Sequence, residues 1–439
     1  MKVALLWCAK WPHMCLWNPA NASYLSPEYI QRVQTERKKG AALAWLAAWV
    51  VTALLIGVVH YESRDPDSQL YAGISARLVR EPMVQWIAPQ WWGFWNSEGP
   101  YCEHPVGMFV VPALLGRAGY PPLQAAYAVN ALYQVASFAL VTLIAARLVP
   151  RSAVTLGCIL QLLPIAFVFR VRANQEYAVL AGLLFAIYAT ERARTRPPWV
   201  AGMLAGFCAV LLVKGVFAFM VPVACGIWLV SRAASNARPR ADWGAWSGLA
   251  LMPVAAFIVT VGYEAAYVKV TGRSFLEIYR SRQLPEDALA PGSLVWRVVY
   301  TASWYAARII WYPFPWSLIV VAAAAGCVRR GQWWPPTSAA ESSGERTAGW
   351  QGAWFAIVTA LALTATFSVA HRKADRYIFP VYFLVAAAGA GVAMHRSEVM
   401  RRIADKLDLQ WMPAALYLAL VLLTLISSGR LPVVTFWRS

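Results

Sequence analysis

Long apolar runs recur along almost the whole 439-residue chain, and they limit what it can fold into. The hydrocarbon core of a bilayer takes roughly 20 helical residues to cross, and a run of about 15 needs flanking residues to complete the crossing. Within hydrocarbon, backbone N–H and C=O groups must be paired inside the chain, which helices achieve. We therefore expect an all-α, polytopic integral membrane protein with about eleven spans. The expected spans are 44–59, 123–149, 153–169, 177–190, 199–213, 216–230, 243–263, 315–328, 350–369, 377–394 and 411–427.

The charged residues indicate a membrane as the partner of this chain. They make up 14% of it, against about 25% in soluble domains. A net charge of +18 would suggest a nucleic-acid partner in a soluble protein. Here Lys and Arg cluster in short loops between the apolar runs, where they set orientation and suit anionic lipid headgroups. We therefore expect membrane lipids as partners and no nucleic acid.

Orientation follows from where the basic residues lie. Those that precede the first apolar run place the N-terminal segment, residues 1–43, in the cytoplasm. If the mildly apolar segment 105–120 crossed the membrane, five later basic clusters would face outward, whereas all five face the cytoplasm if it does not. We therefore expect 105–120 to form a juxtamembrane helix that ends at Pro121–Pro122. The five clusters contain Arg147 and Arg151; Arg192, Arg194 and Arg196; Arg232, Arg238 and Arg240; Arg329 and Arg330; and Arg396, Arg401 and Arg402.

The same assignment defines the parts that face outward. Residues 61–121 and 264–314 become extracytoplasmic loops of a membrane domain that covers 44–430, and 431–439 becomes a short extracytoplasmic tail. In the second loop, residues 296–311 combine aromatic side chains with Arg308, which is typical of an interfacial amphipathic helix. Charged residues from distant parts of the sequence thereby converge on one membrane face. We count Asp65, Arg172 and Arg308 among the candidate substrate-binding residues on that face.

Two carboxylates open a helix in the first outer loop. Asp65 fits the N-cap and Pro66 the first helical position. For Asp67, a favourable charge near the helix N-terminus is one explanation, and a functional carboxylate is the other. Because Asp65 and Pro66 already account for the helix start, Asp67 is the first candidate for function.

Further candidate residues lie at the expected outer ends of spans. Glu176, which follows Arg172 in a short loop, is either a helix-start carboxylate or an active-site acid. Lys214 either extends its amine to the interface or binds an anion such as phosphate. Glu103 and His104 could bind a headgroup, and these two ligands alone are weak grounds for a divalent metal.

A basic cluster runs against the positive-inside bias. It lies at an expected outer span end and contains His371, Arg372, Lys373 and Arg376, followed by Tyr377. An outward-facing cluster of this kind needs an anionic partner, and a lipid phosphate would provide one. A carboxylate base, a second carboxylate and cations at one membrane face are what glycosyl transfer from a lipid-phosphate sugar requires.

Four segments in this order resemble the GT-C glycosyltransferases, in particular the branch of protein O-mannosyltransferases and lipid A aminoarabinose transferases. They are Asp-Ser-Gln-Leu-Tyr-Ala at 67–72, Glu-His-Pro at 103–105, Leu-Val-Lys-Gly-Val at 212–216 and Arg-Tyr-Ile-Phe-Pro-Val-Tyr at 376–382. They are similar to the family's Asp-Glu-x-x-Tyr-Ala, Lys-Pro-Pro, Thr-Lys-Gly and Arg-Tyr-hydrophobic-Leu-Pro segments. The chain departs from this pattern at Ser68, where Glu is usual, and at His104, where Lys is usual.

The resemblance implies a GT-C-like catalytic domain over 44–430 that uses a polyprenyl-phosphate-linked sugar donor. It implies Asp67 as catalytic base, Glu176 as second acidic residue, and Lys214 and Arg376 near the donor phosphate or in the structural frame. The sugar would pass with inversion to a hydroxyl of a glycan, lipid or protein, at the periplasmic or outer face of the cell inner membrane. The alternative is a transporter or flippase of a lipid-linked glycan, which would be expected to line a path through several spans with charges.

Overall fold

The computed structural model describes residues 27–59, 65–91, 99–145, 153–233, 242–283, 294–329, 344–368 and 374–427. These residues are almost entirely helical, and among them the only β-pairing is an isolated bridge between Gln90 and Pro100. The expected all-α membrane fold is confirmed. The helices are α1 Pro27–Val59, α2 Pro66–Leu78, α3 Gly107–Arg117, α4 Pro122–Ala145, α5 Ala153–Gln161, α6 Pro164–Arg170, α7 Glu176–Ala193, α8 Val200–Lys214, α9 Met220–Ala233, α10 Trp243–Thr271, α11 Phe275–Gln283, α12 Leu294–Trp311, α13 Trp316–Val328, α14 Gly344–Ser368, α15 Phe379–Arg396, α16 Glu398–Leu409 and α17 Met412–Ser427.

Fewer helices are long and apolar enough to cross a membrane than the sequence suggested. Within the described residues, five helical stretches are long and apolar enough to cross a membrane, or up to seven if each of two bent pairs counts as one span. The expected number of about eleven is therefore not confirmed. The five stretches are Thr35–Leu55, Pro122–Ile144, Pro197–Arg232, Trp243–Thr271 and Asp375–Met394.

The third of these stretches folds back on itself at the end of α8. Trp199, just before α8, packs near the end of α7, whereas Lys214 at the end of α8 contacts Glu176 at the start of α7. In α9, Trp228 donates a hydrogen bond to Glu191, again near the end of α7. Helices α8 and α9 thus run in opposite directions beside α7, and the turn between them lies beside the first residue of α7.

The segment expected to lie beside the membrane forms α3. Its 11 residues extend only about 16 Å, which is too short for a hydrocarbon core of about 30 Å. Gly107, the first residue of α3, lies against the backbone of Leu212, and a Cβ there would be 2.7 Å from the Leu212 carbonyl oxygen. A short helix therefore forms where the sequence predicts one, and it packs on the end of α8.

The apolar run 153–169 does not form one helix, so that expectation is wrong. It divides into α5 and α6, with Leu163 in extended backbone and Pro164 in the first turn of α6. Proline lacks the N–H that a continuous helix needs and disfavours helical backbone in the residue before it. Arg170, buried at the end of α6, donates a hydrogen bond to the Gln161 carbonyl oxygen at the end of α5.

Two sharp bends complete the architecture. The aromatic-rich helix α12, which contains the segment 296–311, meets α13 at 110°. Helix α16 meets α17 at 85°, and the sequence analysis did not foresee α16 as an element. Helix α15 begins beside the turn between α8 and α9, since Tyr377 just before it packs 5.0 Å from Phe217 between ring centroids.

Candidate functional site

A polar cavity of about 270 Å³ opens where the ends of α2, α8 and α11 meet the turn that precedes α15. Its wall combines two carboxylates with three cationic side chains from distant parts of the sequence. Six of the residues predicted from the sequence line it, namely Asp67, Glu103, His104, Lys214, Arg376 and Tyr377. The remaining lining residues are Tyr71, Gln175, Phe217, Ser281 and Arg282.

Helix α2 begins as its sequence predicts and presents Asp67 to the cavity. The Asp65 side chain accepts hydrogen bonds from the N–H of Ser68, at 3.1 Å, and from the Ser68 hydroxyl, and Pro66 occupies the first turn. Asp67 is therefore not needed as the cap. Its Oδ2 lies 2.6 Å from Nη1 of Arg376, a residue 309 positions away.

Ser68, where the resembling family usually has Glu, connects the start of α2 with the loop before α7. Its hydroxyl oxygen accepts a hydrogen bond from the N–H of Ala173 at 3.0 Å. In the next turn of α2, the Tyr71 hydroxyl accepts a hydrogen bond from Gln175 at 3.4 Å. The start of α2 and the loop before α7 are thereby held together beside the cavity.

Glu176 and Lys214 form a buried ion pair. Their side chains are 1% and 3% exposed, and Nζ lies 3.0 Å from Oε1. Lys214 lines the cavity, whereas Glu176 does not belong to its wall and acts on the cavity through Lys214. A charge placed in such an environment is stabilised only if it stays paired. Glu176 is thus a positioning residue for Lys214 in this geometry.

The turn that follows Lys214 is held by Tyr279 of α11. Gly215 adopts φ +61°, which favours glycine, and a Cβ on it would lie 2.4 Å from the Tyr279 hydroxyl. The Tyr279 oxygen accepts a hydrogen bond from the N–H of Val216 at 3.1 Å. Helix α11 therefore fixes the backbone beside Lys214.

Three predicted substrate-binding residues are not part of the cavity wall. Arg308 pairs with Asp375 at 2.6 Å, and Arg172 lies 3.7 Å from Asp65. Asp65 itself caps α2 rather than lining the cavity. Arg308 nevertheless holds Asp375, the residue before Arg376, and Asp65 caps the helix that carries Asp67. The predicted residues His371, Arg372 and Lys373 lie outside the described residues.

Arg282 is the main cavity residue that the sequence analysis missed. It lies in α11, and its Nη1 is 3.5 Å from Oε1 of Glu103. Its guanidinium also lies 5.3 Å from the ring centroid of Trp91. The loop sequence offers several basic residues without a motif that distinguishes Arg282. Phe217, Ser281 and Gln175 likewise carry no sequence signal of their own.

Burial and neighbouring charges set the protonation of two cavity side chains, His104 and Tyr71. Burial, together with the charges of Lys214 and Arg376, holds the pKa of His104 well below its ordinary value of 6.5. Burial and the nearby Asp67 carboxylate raise the pKa of Tyr71. His104 is therefore neutral at pH 7, and the positive charge of the cavity comes from its Lys and Arg residues.

The site offers few ligands of the kind that bind metals. Among the described residues, no group of three or more His, Cys, Asp or Glu side chains is arranged to hold a metal ion. Glu103 and His104 do both line the cavity, but Glu103 pairs with Arg282.

Known proteins resemble this chain in fold. No protein-family model matches it, and no curated protein matches its sequence. ArnT from Cupriavidus metallidurans bound to undecaprenyl phosphate aligns with a TM-score of 0.54 at 20% identity, over 81% of this chain and 60% of ArnT. The apo state of ArnT aligns with a TM-score of 0.53 at 21% identity, over 82% and 61%.

A third structure is more distant, and the likeness to ArnT concerns the fold alone. An oligosaccharyltransferase from Archaeoglobus fulgidus, in complex with zinc and sulfate, aligns with a TM-score of 0.43 at 12% identity over 84% of this chain and 52% of its own. That score is too low to support a common fold. The chain spans about three fifths of the length of ArnT, at 60%. The chain shares the overall fold of ArnT.

Proposed function

We propose that the chain is a membrane glycosyltransferase that moves a sugar from a polyprenyl-phosphate-linked donor to an acceptor hydroxyl. The observation that carries the proposal is the cavity in which Asp67, Lys214 and Arg376 meet. A carboxylate can accept a proton from a hydroxyl, and adjacent cations can stabilise a phosphate that gains negative charge. The wall also contains aromatic side chains, Phe217 and Tyr377, beside these charged groups.

The proposed reaction gives a role to Asp67, Lys214 and Arg376. The Asp67 carboxylate takes the proton of the acceptor hydroxyl. At the same time the oxygen of that hydroxyl bonds to the anomeric carbon from the side opposite the phosphate. The bond between that carbon and the phosphate oxygen breaks, and its electron pair leaves with the polyprenyl phosphate. Lys214 and Arg376 stabilise the departing charge, and the configuration at the anomeric carbon is inverted.

Arg376 connects the two halves of this reaction. In the structure its guanidinium is bonded to Asp67, and both side chains are about two fifths exposed, at 40% and 41%. Ion pairs of that exposure contribute only about 0–1 kcal/mol, so an incoming phosphate can compete for the guanidinium. Transfer of Arg376 from Asp67 to the phosphate would leave the carboxylate available to the acceptor hydroxyl.

The donor class and the location are also proposals. The fold is shared with ArnT, whose structure contains undecaprenyl phosphate, and lipid phosphate is the anion expected from the basic residues around the cavity. The distribution of the basic loops supports an extracytoplasmic position for the cavity. We infer that the protein works in the cell inner membrane, with its site facing the periplasm or the cell exterior.

Replacing the proposed base tests this function. We expect Asp67→Asn to lower transfer from synthetic undecaprenyl-phosphate pentoses and hexoses by about 100- to 10,000-fold, without weakening the binding of undecaprenyl phosphate. Asp405→Asn, a carboxylate in α16 outside the cavity, is the matched control and should retain full activity. Full transfer by Asp67→Asn would refute the assignment of the base. Lipid translocation without any transfer in the unmodified protein would support a flippase instead.

A further inference from the structure

Helix α16 lies at the end of the molecule opposite the cavity. Helix α15 starts beside the cavity and has 18 residues, so it carries the chain about 27 Å away before α16 begins. Helix α16 meets the apolar helix α17 at 85°. If α17 crosses the bilayer, α16 therefore lies close to the membrane plane.

The composition of α16 keeps it out of the hydrocarbon. Its 12 residues include six charged side chains, and charged groups at the bilayer centre cost free energy. The helix start is capped by the Ser397 side chain, which accepts a hydrogen bond from the N–H of Met400. An amphipathic helix of this kind belongs at the interface.

One side of α16 is fixed against the protein. Ala404 is buried, and Met400 packs against a buried apolar cluster. The Asp408 side chain accepts hydrogen bonds from the N–H and hydroxyl of Thr155 in α5, at 3.3 and 3.4 Å. These contacts fix the rotation of the helix about its axis, so that the opposite side is presented outward.

The outward side combines apolar and cationic residues, which we call the α16 face. It consists of Val399, Arg402, Ile403 and Lys406, at the i, i+3, i+4 and i+7 positions of one helical face. Val399 is 66% exposed, Ile403 is 44% exposed, and Arg402 and Lys406 are also exposed. A solvated face does not need two exposed branched apolar residues beside two cations, whereas an interfacial face does.

We propose that the α16 face binds the headgroups of anionic phospholipids on the side of the membrane opposite the cavity. Val399 and Ile403 would insert among the acyl chains near the headgroups, while Arg402 and Lys406 contact the phosphates. The pair between Arg402 and Glu398 does not prevent this, because it is a single 3.3 Å contact with both side chains more than half exposed, at 74% and 53%. The complementary charge of the lipid selects this partner over a neutral lipid.

Titration of the purified full-length chain with lipid tests the proposal. Native mass spectrometry would measure the apparent dissociation constant for phosphatidylglycerol and for phosphatidylcholine. Each Lys or Arg near an anionic surface contributes about 1 kcal/mol, which is roughly fivefold in affinity. We therefore expect Arg402→Gln with Lys406→Gln to weaken phosphatidylglycerol binding by at least about tenfold and to leave phosphatidylcholine binding unchanged.

A matched double variant controls for the loss of two positive charges. Arg80 and Arg273 are exposed, lie just after α2 and α10, and do not belong to the five basic clusters. Arg80→Gln with Arg273→Gln should leave the affinity for phosphatidylglycerol within about twofold. Equal weakening by both double variants would overturn the proposal, as would equal binding of the two lipids by the unmodified chain. A disulfide-linked dimer of Ile403→Cys that forms in detergent regardless of lipid would assign the face to a second copy and would also overturn it.

Discussion

The buried pair of Glu176 and Lys214 gives the sharpest test of the site geometry. Removing one partner of a buried ion pair leaves the other charge unpaired, which costs about 3–5 kcal/mol. The two side chains are 1% and 3% exposed, so water cannot replace the lost partner. We expect both Glu176→Gln and Lys214→Met to destabilise the protein by about this amount.

The surrounding charges make the two losses unequal. Arg376 also interacts electrostatically with Glu176 and with Lys214. After Lys214→Met, Glu176 still faces the Arg376 guanidinium. After Glu176→Gln, Lys214 remains buried near a second cation. We therefore expect Glu176→Gln to be the more destabilising change, toward the upper end of about 3–5 kcal/mol.

Thermal unfolding in detergent at one fixed scan rate measures these differences through the fluorescence of the 23 tryptophans. Domains of 150–250 residues shift by about 2–4 °C per kcal/mol, and longer chains shift less. A loss of about 3–5 kcal/mol should therefore lower Tm by roughly 5–10 °C. The double variant removes both charges and should recover most of this loss.

An exposed ion pair provides the control. Glu36 and Lys39 lie 2.9 Å apart with side chains 65% and 64% exposed, and exposed pairs contribute only about 0–1 kcal/mol. Glu36→Gln and Lys39→Met should therefore hardly change Tm. Losses at Glu176 and Lys214 as small as these, or a double variant as unstable as the sum of the single variants, would show that the two residues are not a buried, coupled pair.

Three further predictions follow from named contacts. When the pH falls from about 8 to about 5, the Tm of the unmodified protein should fall more than that of His104→Gln. The reason is that the folded state keeps His104 neutral, while the same imidazole in the unfolded chain binds a proton below its ordinary pKa of about 6.5. Parallel curves of Tm against pH for the two proteins would contradict this. Gly215→Ala should destabilise the turn, and Tyr279→Phe should lessen that effect by removing the hydroxyl that a Cβ would meet at 2.4 Å; strictly additive Tm losses would argue against the contact. Arg194→Gln should lower the free energy of unfolding by about 3–5 kcal/mol, because it leaves the buried Asp242 without its 2.6 Å partner. A Tm within about 1–2 °C of the unmodified protein, the shift expected for a loss of about 1 kcal/mol or less, would refute this prediction.

Part of the fold could be predicted from the sequence, because the interactions that determine it act between residues close together in the chain. The apolar runs required helices in a membrane, and the cap formed by Asp65 with Pro66 marked the start of α2. The distribution of basic residues predicted that 105–120 does not cross the bilayer, and α3 is indeed too short to cross it. The break before Pro164 was also a local signal, but the mean hydropathy of 153–169 obscured it.

The sequence predicted which types of residue form the site, but not which of these residues contact each other. The sequence supplied Asp67, Lys214 and Arg376 as candidates on one face of the membrane. It did not indicate that Asp67 is bonded to Arg376, that Glu176 lies behind Lys214, or that Arg282 reaches Glu103. It also placed Arg308 with the substrate, whereas Arg308 holds Asp375.

The sequence by itself determined that this chain is a helical membrane protein with carboxylates and cations gathered at one face, because hydropathy and helix capping act between residues close in the chain. Only the tertiary structure decided which of these charges meet. Ion pairs such as that of Asp67 with Arg376, 309 positions apart, depend on how helices pack and turn. Packing depends on the shapes of many side chains at once, and no single segment of the sequence contains that information.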